Sequence, residues 1–223
     1  LPDVPSSMMR RIGELNDGTQ WSVNWGASIW TRLRGQGPWH SEPIGSSSHD
    51  GANTADGERA NILDGRGRVW LIDPAAPELH RVLFEQPGAI AVAPDSQGDR
   101  ILLSFHDGMR LFGPRGELLR FIPVAGSAVG DLAISPDDRW IAGAQVDGTI
   151  RIWSMQDGRE VAALRGHEGR ASSVAFDPSG VELVSAGWGG QILRWSVDAF
   201  DRPAQELLAA IEASWGLTLE DAL

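Results

Sequence analysis

The chain repeats itself about every forty residues, and this period restricts its fold more than any other feature. The stretch from Asp131 to Ser154 has the same order of segments as the stretch from Ser173 to Ser196: apolar alternation, a turn containing proline, further alternation, a glycine turn and a closing aromatic. The closing positions recur at intervals of 42, 40, 41 and 42 residues: Trp30, Ile72, Phe112, Trp153 and Trp195. A repeat of this length is typical of solenoids and propellers, in which each unit is one supersecondary structure.

Each unit predicts a small antiparallel sheet. Apolar residues alternate with polar ones, as at Leu132 and Ile134, which is the period of a half-buried strand. Asp147-Gly148 is typical of a hairpin that needs positive φ, and the turns containing proline preset the other reversals. We therefore predict an all-β fold, a propeller of about five four-stranded blades over residues 1–201.

The best-kept units resemble WD40 repeats, whose signature combines a Gly-His pair, a run of short strands and a closing Trp-Asp. The residues that carry this resemblance are Gly166-His167, Asp147-Gly148, Ile152-Trp153 and Arg194-Trp195. It covers residues of about 8 to 200 and is strongest in the last two units. The chain is thereby identified as a diverged member of the WD40 propeller family.

The resemblance also implies a structural tetrad of His, Ser or Thr, Asp and Trp in each blade, and this chain keeps only parts of it. The last unit has His167, Ser185 and Trp195, but Gly189 stands where the family has Asp. The preceding unit has Asp147 and Trp153 without the His. We expect these residues to brace their blades only partly.

The two ends of the chain depart from the repeat. The last unit lacks an outer strand, and residues 1–7 contain two prolines, which are poor ladder donors. We therefore expect the chain to be the C-terminal piece of a longer propeller, completed by a preceding segment or another chain; seven blades are the commonest count in the family. The stretch from Arg34 to Ala52 predicts a long flexible loop. Residues 202–223 predict a helical tail, with Leu207, Leu208, Ile211 and Trp215 on one face.

Composition excludes several kinds of chemistry. The chain has no cysteine and no lysine, so it has no disulfide, thiol nucleophile, Walker-type phosphate loop or Schiff base. Its five histidines lack metal-site spacing, and its carboxylates are spread over turns. We predict no catalytic residues, no metal and no cofactor, and a cytoplasmic location without a membrane span. The net charge of −11 makes nucleic acid an unfavourable partner.

A binding surface is better supported. In this architecture the residue before each Asp-Gly turn points onto one narrow face of the propeller, and these positions are Val23, Gly65, His106, Val146 and Trp188. Trp188 lies among glycines, so its ring is either an exposed anchor or folded over its own blade. Arg66 and Arg170 are predicted near the same face. Trp25 and Trp140, at alternating strand positions, are predicted to be core residues.

These observations favour a non-catalytic interaction module, a sensor or scaffold with a protein partner. The resemblance implies the C-terminal propeller of a larger bacterial signalling or defence protein. Two alternatives stay open: a propeller hydrolase with its site in the central channel, and a nucleic-acid sensor with an arginine patch strong enough to overcome the net charge.

Overall fold

The computed structural model describes residues 9–24, 28–35, 39–43, 48–75 and 80–200, and these form five antiparallel sheets in sequence order. The predicted tail, residues 202–223, and Trp25 lie outside the described residues. Among those described, no helix has the length and hydropathy needed to cross a membrane.

Each sheet is one blade, numbered along the chain. Blade one contains β1 (Met9–Glu14), β2 (Gln20–Asn24), β3 (Ser28–Arg32) and β4 (His40–Pro43). Blade two contains β5 (Ser48–Asn53), β6 (Ala60–Asp64), β7 (Arg68–Ile72) and β8 (His80–Glu85). Blade three contains β9 (Ala91–Pro94), β10 (Ile101–Phe105), β11 (Gly108–Phe112) and β12 (Leu118–Ile122). Blade four contains β13 (Val129–Ile134), β14 (Trp140–Gln145), β15 (Ile150–Ser154) and β16 (Glu160–Leu164). Blade five contains β17 (Ala171–Phe176), β18 (Glu182–Gly187) and β19 (Ile192–Ser196), followed by a 3₁₀ turn (Val197–Phe200).

The all-β prediction and the β-propeller are confirmed, and blade five has three strands within the described residues, as the missing outer strand predicted. Residues from the inner part of all five blades line a shared cavity of about 470 Å³, among them Gly13, Gly51, Val92, Leu132 and Val174. The blades therefore stand side by side around one central space.

Blade one is where the sequence interpretation was wrong. In register, Gln20 pairs with Arg32 as Ala60 pairs with Ile72, so Arg32 and not Trp30 holds the closing position of blade one. The predicted loop from Arg34 to Ala52 also contains all of β4 and most of β5. Its serines and glycines carry no period-two signal, and pairing with neighbouring strands supplies the order instead.

Four hydrophobic cores join successive blades, because each internal blade has apolar side chains on both of its flanks. The core between blades three and four contains Leu102, Met109, Ile141 and Trp153, all fully buried. The core between blades four and five contains Trp140, so its predicted core position is confirmed.

Buried hydrogen bonds add to these cores. The carboxylate of Asp50 accepts from the backbone N–H of Val92 at 3.0 Å, and that of Asp131 accepts from Val174 at 2.8 Å. Each bond links the inner strand of one blade to the inner strand of the next. A buried carboxylate held in this way fixes the blade spacing, because leaving it unpaired is costly.

Candidate interaction site

The turns between the second and third strands of each blade lie at the same end of the propeller as the loops that enter the inner strands, because all five sheets are antiparallel. We call this end the turn face. Its exposed side chains include the predicted residues His106, Arg66, Arg170 and Trp188, together with Val146, which is 47% exposed. Val23 was predicted to stand just before the turn, but it pairs with Ile29 inside β2, which continues to Asn24.

Trp188 is the most exposed large apolar side chain of the described residues, with 74% of its surface accessible. Its backbone N–H donates to the carbonyl of Arg170 at 2.9 Å, and Gly190 N–H closes the turn on Gly187 at 3.0 Å. The backbone is therefore anchored while the indole projects outward. Gly190 adopts φ +76, a conformation that favours glycine. Of the two alternatives left open by the sequence, the structure shows the exposed one.

Arg170 lies against this indole. Its guanidinium carbon is 5.3 Å from the ring centroid, within the range of a cation–π contact. The two residues come from different connections, the loop before β17 and the turn after β18. The structure thus brings together two of the four predicted binding residues.

His106 and Arg66 occupy the equivalent turns of other blades. His106 is exposed in a two-residue turn between Phe105 and Gly108. Beside it, Asp107 is paired with Arg110 at 2.6 Å, and hydrogen bonds from that guanidinium hold the pKa of Asp107 below its usual value. The backbone N–H of Arg66 donates to Asp64 at 2.9 Å, which leaves its exposed side chain on the turn face.

The remnants of the tetrad in blade five adjoin the turn that carries Trp188, since a side chain at Gly187 would meet His167. His167 Nε2 is 2.7 Å from Ser185 Oγ, and Trp195 Nε1 donates to the same oxygen at 2.9 Å. His167 Nδ1 is buried without a partner, as expected where Gly189 replaces the carboxylate. Desolvation lowers the pKa of His167, so the neutral imidazole is favoured.

Blade four keeps the Asp and the Trp of the tetrad and uses them differently. Asp147 accepts the backbone N–H of Thr149 at 2.9 Å and so closes its own turn. Trp153 is fully buried, but its Nε1 has no partner, since Gly143 stands where blade five has Ser185. A side chain at Gly143 would meet Trp153 at 2.9 Å, so the indole packs directly on the glycine.

Two bracing residues were missed by the sequence interpretation. Gln145, fully buried, donates from Nε2 to the carbonyls of Ala125 (3.1 Å) and Ser127 (2.5 Å) and accepts from Arg151 Nε at 2.6 Å. It ties the loop before β13 to the blade, as His167 does in blade five.

Asp64 holds the matching position in blade two. It accepts from Trp70 Nε1 at 3.0 Å and from the backbone of Arg66 and Arg68. Burial would raise the pKa of Asp64, but these hydrogen bonds outweigh it and the pKa lies below the usual value. Asp64 and Gln145 thus both make bracing hydrogen bonds from the first residue of the turn that follows the second strand. Because the residue type differs between the two blades, no single motif could have indicated the position.

The described residues contain no group of three or more metal-binding side chains close enough to hold an ion. The central cavity is bordered largely by small and apolar residues such as Ala93, Leu132 and Val174. The turn face, by contrast, presents an exposed indole with an arginine against it.

Comparison with known proteins agrees with this architecture. The family model "WD domain, G-beta repeat" (WD40) matches residues 116–154 and 158–196. A periodic tryptophan protein 2 homolog from Neurospora crassa is 42% identical over 67 residues, which cover 30% of this chain and 8% of that protein. Autophagy-related protein 16 from Arabidopsis thaliana is 26% identical over 140 residues, covering 60% of this chain and 27% of its own length. An uncharacterized WD repeat-containing protein from Synechocystis is 34% identical over 88 residues, covering 40% of this chain and 24% of its own length.

The matched segments are thus a minor part of these relatives. Proteins of this repeat family are typically non-catalytic scaffolds for protein–protein interaction. The chain therefore contains WD40 repeats, and the β-propeller they belong to has five blades in the part of the chain that the structure describes.

Proposed function

We propose that this chain is a protein-interaction scaffold that engages its partner through the turn face, with Trp188 and Arg170 as the central contacts. The observation that carries the proposal is the exposure of Trp188, 74%, on a turn whose backbone is already fixed by hydrogen bonds.

An exposed indole is costly in water and gains most when a partner covers it. Tryptophan and arginine are the residues most enriched among those that dominate binding energy at protein interfaces. The guanidinium of Arg170 already contacts the indole of Trp188 before a partner binds. Less side-chain conformational entropy is therefore lost on binding. Val146, 47% exposed on the neighbouring blade, extends the apolar surface.

We also propose a setting for this scaffold. The chain serves as the recognition part at the C-terminal end of a larger bacterial signalling or defence protein in the cytoplasm, with any catalysis in another domain or chain. This part of the proposal is supported by the resemblance to WD40 propellers of that kind and by relatives much longer than the matched segments.

The test is quantitative affinity purification of the tagged protein from cells that naturally produce it. Wild type is compared with Trp188→Ala, with Arg170→Glu, and with a control, Val181→Ala, which alters a side chain 51% exposed at the opposite end of the propeller. We expect the bound protein to be lost from the first two variants and kept by the control, on the order of tenfold or more for Trp188→Ala.

Recovery of the same proteins at equal levels from all four samples would contradict the proposal. Circular dichroism of each purified variant confirms that the blades are intact before the comparison is made.

A further inference from the structure

The outermost strand of blade three is unusually apolar for a rim strand. β12 lies at the edge of its sheet, and its side chains Leu118, Leu119 and Phe121 are 56%, 51% and 48% exposed. Three large apolar side chains therefore face water within one strand of five residues. Exposed apolar edges of this kind recruit other strands.

The fold itself does not require this bulk. β16 occupies the same rim position in blade four and forms an equivalent ladder, with Glu160 and Ala163 as its exposed residues. β8 is the rim strand of blade two. It has one exposed large apolar side chain, Val82, with 41% of its surface accessible. A charged or small residue thus suffices for the ladder, and β12 departs from that pattern.

The backbone of β12 offers a second kind of contact. A strand at the edge of an antiparallel sheet points alternate N–H and C=O groups away from its only neighbour, here β11. An extended segment could pair with these groups and cover the apolar side chains at the same time.

The charge around β12 differs from that of the whole chain, which carries −11. Arg120 donates to the backbone carbonyls of Gln156 (2.9 Å) and Asp157 (3.0 Å), so these bonds hold its guanidinium without neutralising it. The strand itself contains no acidic residue. Just before the strand, the charges of Glu117 and Arg115 offset each other. The charge left at this edge is that of Arg120, which complements an acidic segment.

We propose that β12 binds an extended segment of a partner protein by strand addition, and that this segment alternates apolar and acidic residues. Alternation follows from the two flanks of the strand. Phe121 pairs with Arg110, whose charge is taken up by Asp107, so one flank is apolar and nearly neutral. Arg120 lies on the other flank, where an acidic side chain of the added strand meets it. The proposal does not depend on the turn face.

The experiment measures binding of fluorescent peptides to the intact chain by anisotropy. The probe is a peptide of about ten residues that alternates valine and glutamate, the length of a long strand. A second peptide replaces glutamate with lysine, and a third carries N-methyl groups on alternate amides to block pairing. We expect the glutamate peptide to bind on the order of tenfold more tightly than either of the others.

Variants locate the site. The double substitution Leu119→Thr with Phe121→Thr keeps β-propensity but removes the apolar surface, and it should abolish binding. Arg120→Gln should weaken binding of the glutamate peptide only, while the control Val82→Thr on β8 should leave it unchanged.

Absence of binding at millimolar peptide would overturn the proposal, as would equal binding of the lysine peptide or insensitivity to the double substitution. Analytical ultracentrifugation tests whether a second copy of the chain occupies the edge of β12 instead. A dimer that the double substitution dissociates would show that a second copy of the chain, and not an acidic segment, covers β12.

Discussion

Blades four and five carry the two best repeats of the chain, yet each keeps a different part of one bracing network. Blade five has the His167, Ser185 and Trp195 hydrogen bonds and lacks the carboxylate. Blade four has the carboxylate and the tryptophan, but Trp153 Nε1 is unpartnered. Blade four, whose tryptophan lacks a hydrogen-bond partner, is nevertheless the more deeply buried of the two.

The difference follows from what covers each blade. Trp153 is fully buried between blades three and four, whereas Trp195 is only partly buried. Ile150 on β15 is 0% exposed, and its counterpart on β19, Ile192, is 72% exposed. A blade packed on both flanks is stabilised by apolar burial and tolerates one unpaired indole N–H, while a blade with an open flank relies more on its polar contacts.

The open flank of blade five carries two charged side chains beside the exposed Ile192. Trp140 and Ile152 face blade five from blade four, and the matching positions in blade five carry Glu182 and Arg194, which form an ion pair.

Trp153→Ala and Trp195→Ala test this difference most strongly. We expect Trp153→Ala to lower the free energy of unfolding by about 3–5 kcal/mol, the usual cost of removing a fully buried aromatic side chain. Trp195→Ala should cost roughly half as much, because less apolar surface is removed from the interior. Urea denaturation followed by circular dichroism measures both. Equal losses would show that Trp195, which packs against blade four, is covered in solution as fully as Trp153.

Gln145→Ala separates bracing from packing. The substitution removes the partner of the Ala125 and Ser127 carbonyls and of Arg151 Nε, whose guanidinium keeps its ion pair with Glu160. We expect a loss of about 2 kcal/mol in the free energy of unfolding. Ser185→Ala in blade five should cost about 1 kcal/mol, since its partners His167 and Trp195 are only partly buried. The same denaturation experiment compares them. If the Ser185 variant lost more, the retained tetrad, and not Gln145, would be the stronger brace.

The repeat spacing was enough to predict the fold, since alternation and turn residues recur through blades two to five. It failed in blade one, where Trp30 is a better aromatic marker than Arg32 but pairs two residues too early. A single sequence gives no signal for that shift, because register is set by the pairing of both strands.

The candidate site was predicted less completely. The sequence indicated Trp188 because of its glycine neighbours. The exposure of its side chain, however, depends on the orientation of the turn, which is fixed by the hydrogen bond from the Trp188 N–H to the carbonyl of Arg170. Asp64 and Gln145 escaped because their shared role lies in a position and not in a residue type. In blade four the bracing side chain belongs to a strand and bonds a loop, whereas in blade five it belongs to a loop and bonds a strand. The two arrangements share no sequence motif.

The pH dependence of the free energy of unfolding is the smallest effect that we expect to distinguish blade five from blade four. Desolvation holds the pKa of His167 below its ordinary value of 6.5, so the folded chain binds fewer protons there than the unfolded chain. The contribution of the neutral imidazole is complete above pH 6.5 and is lost as the pH falls from 6.5 through the lowered pKa of the folded state. We expect the urea midpoint of wild type to drop over that window and the drop to be smaller in His167→Gln.

Gly189→Asp reverses the sign of this effect. The WD40 tetrad has a carboxylate at this position as a partner of the His, and His167 Nδ1 is buried without one. A carboxylate that restores this contact favours the charged imidazolium, so the pKa should rise. A Cβ at position 189 comes within 3.2 Å of the Glu168 carbonyl, so a small shift of that loop is needed. The variant should then gain stability, relative to wild type, as the pH falls below 6.5. Nuclear magnetic resonance titration of the His167 ring measures the pKa directly. An unchanged value would mean that the added carboxylate points to solvent, and that the bracing of blade five does not depend on the residue the repeat has lost.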